Sequence, residues 1–128
     1  MRLLLLSLAA IISLADTGAI RGKLLQPGGG PPRLEVSAGK TVVLHGDKDT
    51  LGVLNDKRLA GAELELKGHS EGERFVVDPI HTKAMHVHRD GKRLLITYWC
   101  DLCAIRTYTP GICWCCQQET ELDLREKE

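Results

Sequence analysis

The sequence predicts an all-β protein: a small antiparallel barrel or sandwich that ends in a cysteine-bearing β-hairpin. Three observations carry that prediction. Short apolar runs alternate with turn residues along most of the chain. Valine, isoleucine and threonine are concentrated in those runs, as a pleated, half-buried surface favours. All five cysteines fall in one stretch near the C-terminus, "YWCDLCAIRTYTPGICWCCQQ".

The chain opens with "MRLLLLSLAAIISLADTGAI", in which Arg2 precedes an apolar run from Leu3 to Leu14 and small residues follow. This is the layout of a secretory signal peptide over residues 1–19, with cleavage after Ala15 or Ala19. The run is shorter than the roughly 20 apolar residues that cross a bilayer, so an uncleaved anchor is the less favoured reading. An exported protein, periplasmic or secreted and with no membrane span once the leader is gone, is therefore expected. Residues 20–33 form a Pro/Gly-rich N-terminal segment, where Pro27, Gly28, Gly29, Gly30, Pro31 and Pro32 exclude helix and strand. Residues 34–128 then form a single small β domain with cysteine knuckles at 100–116.

Within that domain "RLEV", "TVVLHG", "TLGVL", "AELELKG", "RFVVDP", "AMHVHR", "KRLLITYW" and "ETELDL" predict strands. Period-two alternation is plain where Leu64 and Leu66 stand against Glu63 and Glu65, and where Leu122 and Leu124 stand against Glu121 and Asp123. Asp90-Gly91 predicts a two-residue hairpin turn. "LNDKRLAG" holds one helical turn at most. The run "VVLHGDKDTLGVLNDKRLAGAELELKGH" followed by "ERFVVDPI" resembles the rhythm of exported OB-like barrels, in which a strand leads through a variable loop to a strand ending in glycine. The resemblance implies an OB-like closed barrel.

Composition narrows the function. Lysine plus arginine and aspartate plus glutamate both number 17, so no global field draws the chain to nucleic acid or an anionic membrane. One phenylalanine, two tyrosines and two tryptophans leave little for a base-stacking platform, and no nucleic-acid partner is expected. The nucleophile-elbow, zinc-protease and phosphate-loop motifs are all missing from the sequence, which leans away from catalysis. Asp47 and Asp49 read as a solvated turn, and His45 and His69 as surface histidines.

Cys100 and Cys103 form one C-x-x-C, and Cys113 and Cys116 a second, with nine residues between the pairs. Each such turn aims two thiolates at a common point, and four sulfurs at about 2.3 Å make a tetrahedral zinc site of the rubredoxin-like, zinc-ribbon type. Pro110-Gly111 supplies the turn before the second pair. "RLLITYW" and "ETELDL" are then neighbouring strands closed at their far end by the metal. The stretch resembles the heavy-metal-binding motif appended to metal-exporting ATPases and efflux adaptors. The match is carried by Tyr98, Cys100, Pro110, Gly111, Cys113 and Cys116, with Cys103 at the motif's histidine position. Ala104 replaces its proline, and Gln117-Gln118 replace its Gly-Met. The resemblance implies metal binding without naming the metal.

Alternatives stay open at this point. Exported thiols meet an oxidising compartment, so a disulfide clasp or a redox-active dithiol competes with metal. Cys115 is the odd thiol. It is a rival fourth ligand to Cys116, a transfer ligand for copper(I), or a small thiol packed under Trp114. His86 and His88 share one face of a strand and could add imidazoles to the metal set, though alternation against Met85 and Val87 explains them equally. The expectation is a structural four-cysteine zinc site in a binding module whose ligand or protein partner is unknown. The alternatives are a periplasmic copper or zinc handling protein and a thiol–disulfide redox protein.

Overall fold

The computed structural model describes residues 17–126. The predicted leader lies outside the described residues except for its last three positions. Nine strands run in the order β1 (Thr17–Leu25), β2 (Arg33–Ser37), β3 (Lys40–His45), β4 (Glu63–Glu71), β5 (Arg74–Val77), β6 (Met85–Arg89), β7 (Lys92–Cys100), β8 (Ile105–Thr107) and β9 (Glu121–Glu126). Helix α1 (Lys48–Leu54) and a 3-10 turn (Lys57–Leu59) stand between β3 and β4, and the short helix α2 (His81–Ala84) precedes β6. No helix among the described residues is long and apolar enough to cross a membrane.

The first five strands close on themselves. Neighbours follow the order β1-β2-β3-β5-β4, and β4 pairs back with β1 from Thr17↔His69 to Lys23↔Glu63. This is an all-β barrel of OB-like connectivity, with the helix between the third and fourth strands. It is not wholly antiparallel: β3 and β5 run parallel, which α1 and β4 make possible by carrying the chain across between them. Leu24, Leu34, Leu44, Leu64, Leu66, Phe75 and Val77 fill the interior, joined by Val53, Leu54 and Leu59 from the α1 connection.

Two stretches differ from the sequence reading for local reasons. "TLGVL" lies in α1, not in a strand. Asp47 caps the helix by accepting from the Thr50 backbone N–H at 2.9 Å, and the buried positions Thr50, Val53 and Leu54 repeat at helical spacing. Residues 20–25 belong to β1 and only the stretch between β1 and β2 is the Pro/Gly-rich loop, so the N-terminal segment is built into the barrel. Cleavage after Ala15 would keep every described residue of β1. Cleavage after Ala19 would remove three residues that pair with Lys67, Gly68 and His69. The predicted β6–β7 turn forms with Asp90 at φ 54° and Gly91 at φ 77°, the left-handed pair that a type I′ turn demands.

Gly68 permits the barrel to close. On one edge, β4 pairs with β6 through Leu66 and with β5 from Gly68 onward, so the strand coils between two partners at that point. A Cβ on Gly68 would meet the Val76 carbonyl oxygen at 2.0 Å, a backbone atom that cannot step aside. Gly68→Ala is expected to lower stability by about 1–3 kcal/mol. The measurement is a urea midpoint, with Gly72→Ala giving the reference cost at an uncrowded left-handed turn.

Candidate metal centre

The last three strands extend the sheet beyond β6 as a ribbon on the barrel's flank. β7 leaves β6, runs against β9 from Leu94↔Glu126 to Trp99↔Glu121, and pairs with β8 near its end. Arg106 on β8 fastens the layer. Its Nη1 donates to Thr97 Oγ1 at 2.7 Å and to Asp123 Oδ2 at 2.8 Å, while its guanidinium lies 4.8 Å from the Trp99 ring centre. The first C-x-x-C is the β7–β8 turn, with Cys100 ending β7 and pairing with Ile105. The second sits in a small loop closed by the Ile112↔Glu119 bridge and by Thr120, whose N–H and Oγ1 both donate to the Gly111 carbonyl.

The two turns converge. The sulfurs of Cys100, Cys103, Cys113 and Cys116 all lie within 4.8 Å of one another, and Cys100 Sγ stands 3.5 Å from Cys116 Sγ. Bonds of about 2.3 Å from a tetrahedral centre place sulfurs about 3.8 Å apart, so this group is the right size for one ion. The turns are built alike. In each the first cysteine is buried and the second half-buried, and backbone N–H groups two and three residues on point at the first sulfur. In each, the residue after the second cysteine is left-handed: Ala104 at φ 55° and Gln117 at φ 65°. Sequence reading noted these positions as departures from a motif. The structure shows that they carry the backbone twist glycine makes easily.

The thiols perturb one another. The N–H of Cys116, then that of Cys115, holds Cys113 down to about 7 against its own burial. Cys103 is pushed up, first by the neighbouring Cys115 thiol and then by burial. At Cys100 the Cys103 N–H lowers the thiol, but burial and the Cys116 and Cys113 thiols outweigh it and the net shift is upward. Four crowded sulfurs resist joint ionisation, which a divalent cation among them would relieve. Asp101, Glu119 and Glu121 line an open cleft of about 380 Å³ beside Cys100 and give the approach a negative rim.

Cys115 is exposed and stands outside the four-sulfur group, not packed under Trp114, which is itself 73% exposed. Among the described residues, no histidine joins the cluster. His86 pairs across to Leu95, five residues along β7 from Cys100 and so about 16 Å away. His88 Nε2 donates to Glu65 Oε1 at 2.8 Å. That contact first, then Arg93, holds Glu65 at about 2 despite its burial. His69 meets Glu71, and His45 lies exposed at the end of β3.

A buried polar knot that sequence reading missed ties ribbon to barrel. Asp56, just before the 3-10 turn, takes Arg58 Nε and Nη2 on its two oxygens at 3.0 Å each, and the Tyr98 hydroxyl at 2.8 Å. Arg58 Nη1 continues to the Thr120 carbonyl at 2.8 Å, directly behind the second knuckle. Burial pushes the Asp56 carboxyl up, but Arg58 and Tyr98 outweigh it and keep it ionised. His81 adds a second tie by donating from Nε2 to the Tyr108 carbonyl at 2.7 Å. The partners are up to 62 residues apart, and nothing in the local pattern announces them.

Scans against models of protein families, curated proteins and solved structures each return no match for this chain. The fold and the four-cysteine group therefore stand on their own geometry. Ala104→Gly and Gln117→Gly should each raise stability by about 1 kcal/mol, because a left-handed conformation costs a residue with a Cβ about that much. Thermal melts of the two single variants check this; a lowered midpoint in both would mean the knuckles do not hold that conformation.

Proposed function

We propose that the chain is an exported β-barrel binding module whose terminal ribbon is clamped by a structural zinc ion on Cys100, Cys103, Cys113 and Cys116. The observation that carries this reading is the convergence of four sulfurs from two like-built turns. Four thiolates fill a tetrahedral shell, and a full shell leaves no open position for substrate or water, so the ion holds structure. β8 has three residues and the loop between β8 and β9 no long element, so the ribbon's end has little apolar burial of its own. Metal ligation supplies what packing does not. Export rests on the N-terminal run of the sequence, and a cut after Ala15 keeps Thr17, Gly18 and Ala19, which pair with His69, Gly68 and Lys67 of β4. The barrel would bind its ligand or protein partner through its open faces and loops.

Native mass spectrometry of the protein recovered from an exporting cell tests this directly. One zinc per chain, four metal-protected thiols and a mature chain beginning at Asp16 are expected. Chelation or Cys100→Ser should lower the thermal midpoint by on the order of 10 °C, equivalent to about 2 kcal/mol. A metal-free chain with these sulfurs paired in disulfides would defeat the metal reading and favour a clasp or redox role.

The exposed Cys115 beside Cys103 favours one second reading, in which the ribbon hands on a soft ion such as copper(I). Under it, Cys115→Ser would slow copper exchange to a competing chelator at least about tenfold while leaving zinc content unchanged. Equal exchange rates in the two proteins would remove that reading and leave the structural one standing.

A further inference from the structure

Away from the cysteines, the sheet face formed by β4, β6 and β7 meets α2 in an open cleft of about 370 Å³. It is lined by Lys67, Thr82, Lys83, His86, Arg93 and Leu95. Three of these are cations, and they come from three different elements: β4, α2 and β7. Arg93 is partly satisfied, since its Nε donates to Glu65 Oε1 at 3.0 Å, the same oxygen that meets His88. Among the described residues, no carboxylate stands within ion-pair distance of Lys67 or Lys83. Asp78 borders an adjoining cleft of about 150 Å³ that the two lysines also line.

The imidazole of His86 is the second, independent sign. It is 8% exposed, and its Nδ1 is buried without any hydrogen-bond partner. Leaving a buried polar atom unpaired costs about 1–3 kcal/mol, so this enclosed nitrogen is a strained feature of a ring that itself lines the cleft. Burial first, then Arg93, with Lys67 and His88 adding to it and Glu65 opposing, holds the ring below the usual histidine range. It is therefore neutral at pH 7, with one nitrogen able to donate and one able to accept.

We infer that this cleft binds a multiply charged oxyanion of the phosphoryl or sulfuryl class. Lys67, Lys83 and Arg93 supply charge, and the Thr82 hydroxyl and His86 ring supply hydrogen bonds. Cations arriving from three elements suit an anion with several charged oxygens better than a planar monoanionic carboxylate. Leu95 offers an apolar wall to an organic body carrying that group. The site does not rest on the cysteine cluster, from which His86 is about 16 Å away along the sheet.

The test follows the His86 ring signals of the full chain by NMR, identified by their loss in His86→Gln. Inorganic phosphate, phenyl phosphate and acetate are each titrated against chloride at matched ionic strength. Phosphate should shift the His86 signals saturably and move the ring's titration upward. Lys67→Ala/Lys83→Ala should weaken the apparent affinity at least about tenfold at an unchanged thermal midpoint. Tighter binding of phenyl phosphate than of phosphate identifies a phosphoryl group carried on a larger molecule, and equal binding a free anion; both uphold the site. Identical His86 titrations in phosphate and chloride overturn it. So does acetate binding as well as phosphate, or a double variant that binds phosphate undiminished.

Discussion

One buried carboxylate pins the cysteine-bearing end of the ribbon to the barrel. Asp56 is only 9% exposed, yet it stays charged because Arg58 grips both oxygens and Tyr98 donates to one of them. An ion taken from water without such partners would cost several kcal/mol, so the arrangement tolerates few alternatives. Tyr98 lies near the end of β7, two residues before Cys100, and Arg58 reaches the carbonyl of Thr120 just after the second knuckle. The same knot therefore fixes where the first sulfur turn starts and where the second finishes. Gln26 closes it from the barrel side by donating to the carbonyls of Leu54 and Asp56.

From that anchor the architecture divides its work by stability. The barrel has a continuous apolar core, with Leu24, Leu34, Leu64 and Leu66 fully enclosed, and needs no ion to explain its closure. The ribbon's far end has no comparable core. Leu102 and Trp114 stand exposed at the tips of the two turns, at 74% and 73%. What converges there instead is the group of four sulfurs. The apolar pattern accounts for Tyr98, Leu122 and Leu124, which pack on the core, and leaves the two turn tips without such support.

The two candidate sites also differ in the kind of chemistry they offer. The ribbon offers four soft donors in a closed group, suited to an ion that stays. The cleft on β4, β6 and β7 offers three cations and an imidazole edge in an open groove, suited to an anion that comes and goes. Zero formal net charge hides this contrast, because opposite surpluses sit at different places: carboxylates beside Cys100, and lysines and arginine beside His86.

The sequence by itself determined what is short-range. Period-two alternation gave β4 and β9, Asp90-Gly91 gave the β6–β7 turn, and the repeated C-x-x-C gave two like-built knuckles. These depend on residues within a few positions of each other, where propensity and spacing act directly. Three features escaped because the local signal was weak or shared with another reading. β1 was hidden behind a leader and a glycine-rich stretch, β8 has only three residues, and α1 was too short to tell from a strand without seeing Asp47 cap it. Only the tertiary structure decided which sulfur is the fourth of the group, that His86 and His88 stay away from it, and that Lys67, Lys83 and Arg93 share a cleft. Those are meetings between strands, set by register and closure, and an alternating pattern fixes which face a side chain takes but not whom it meets there.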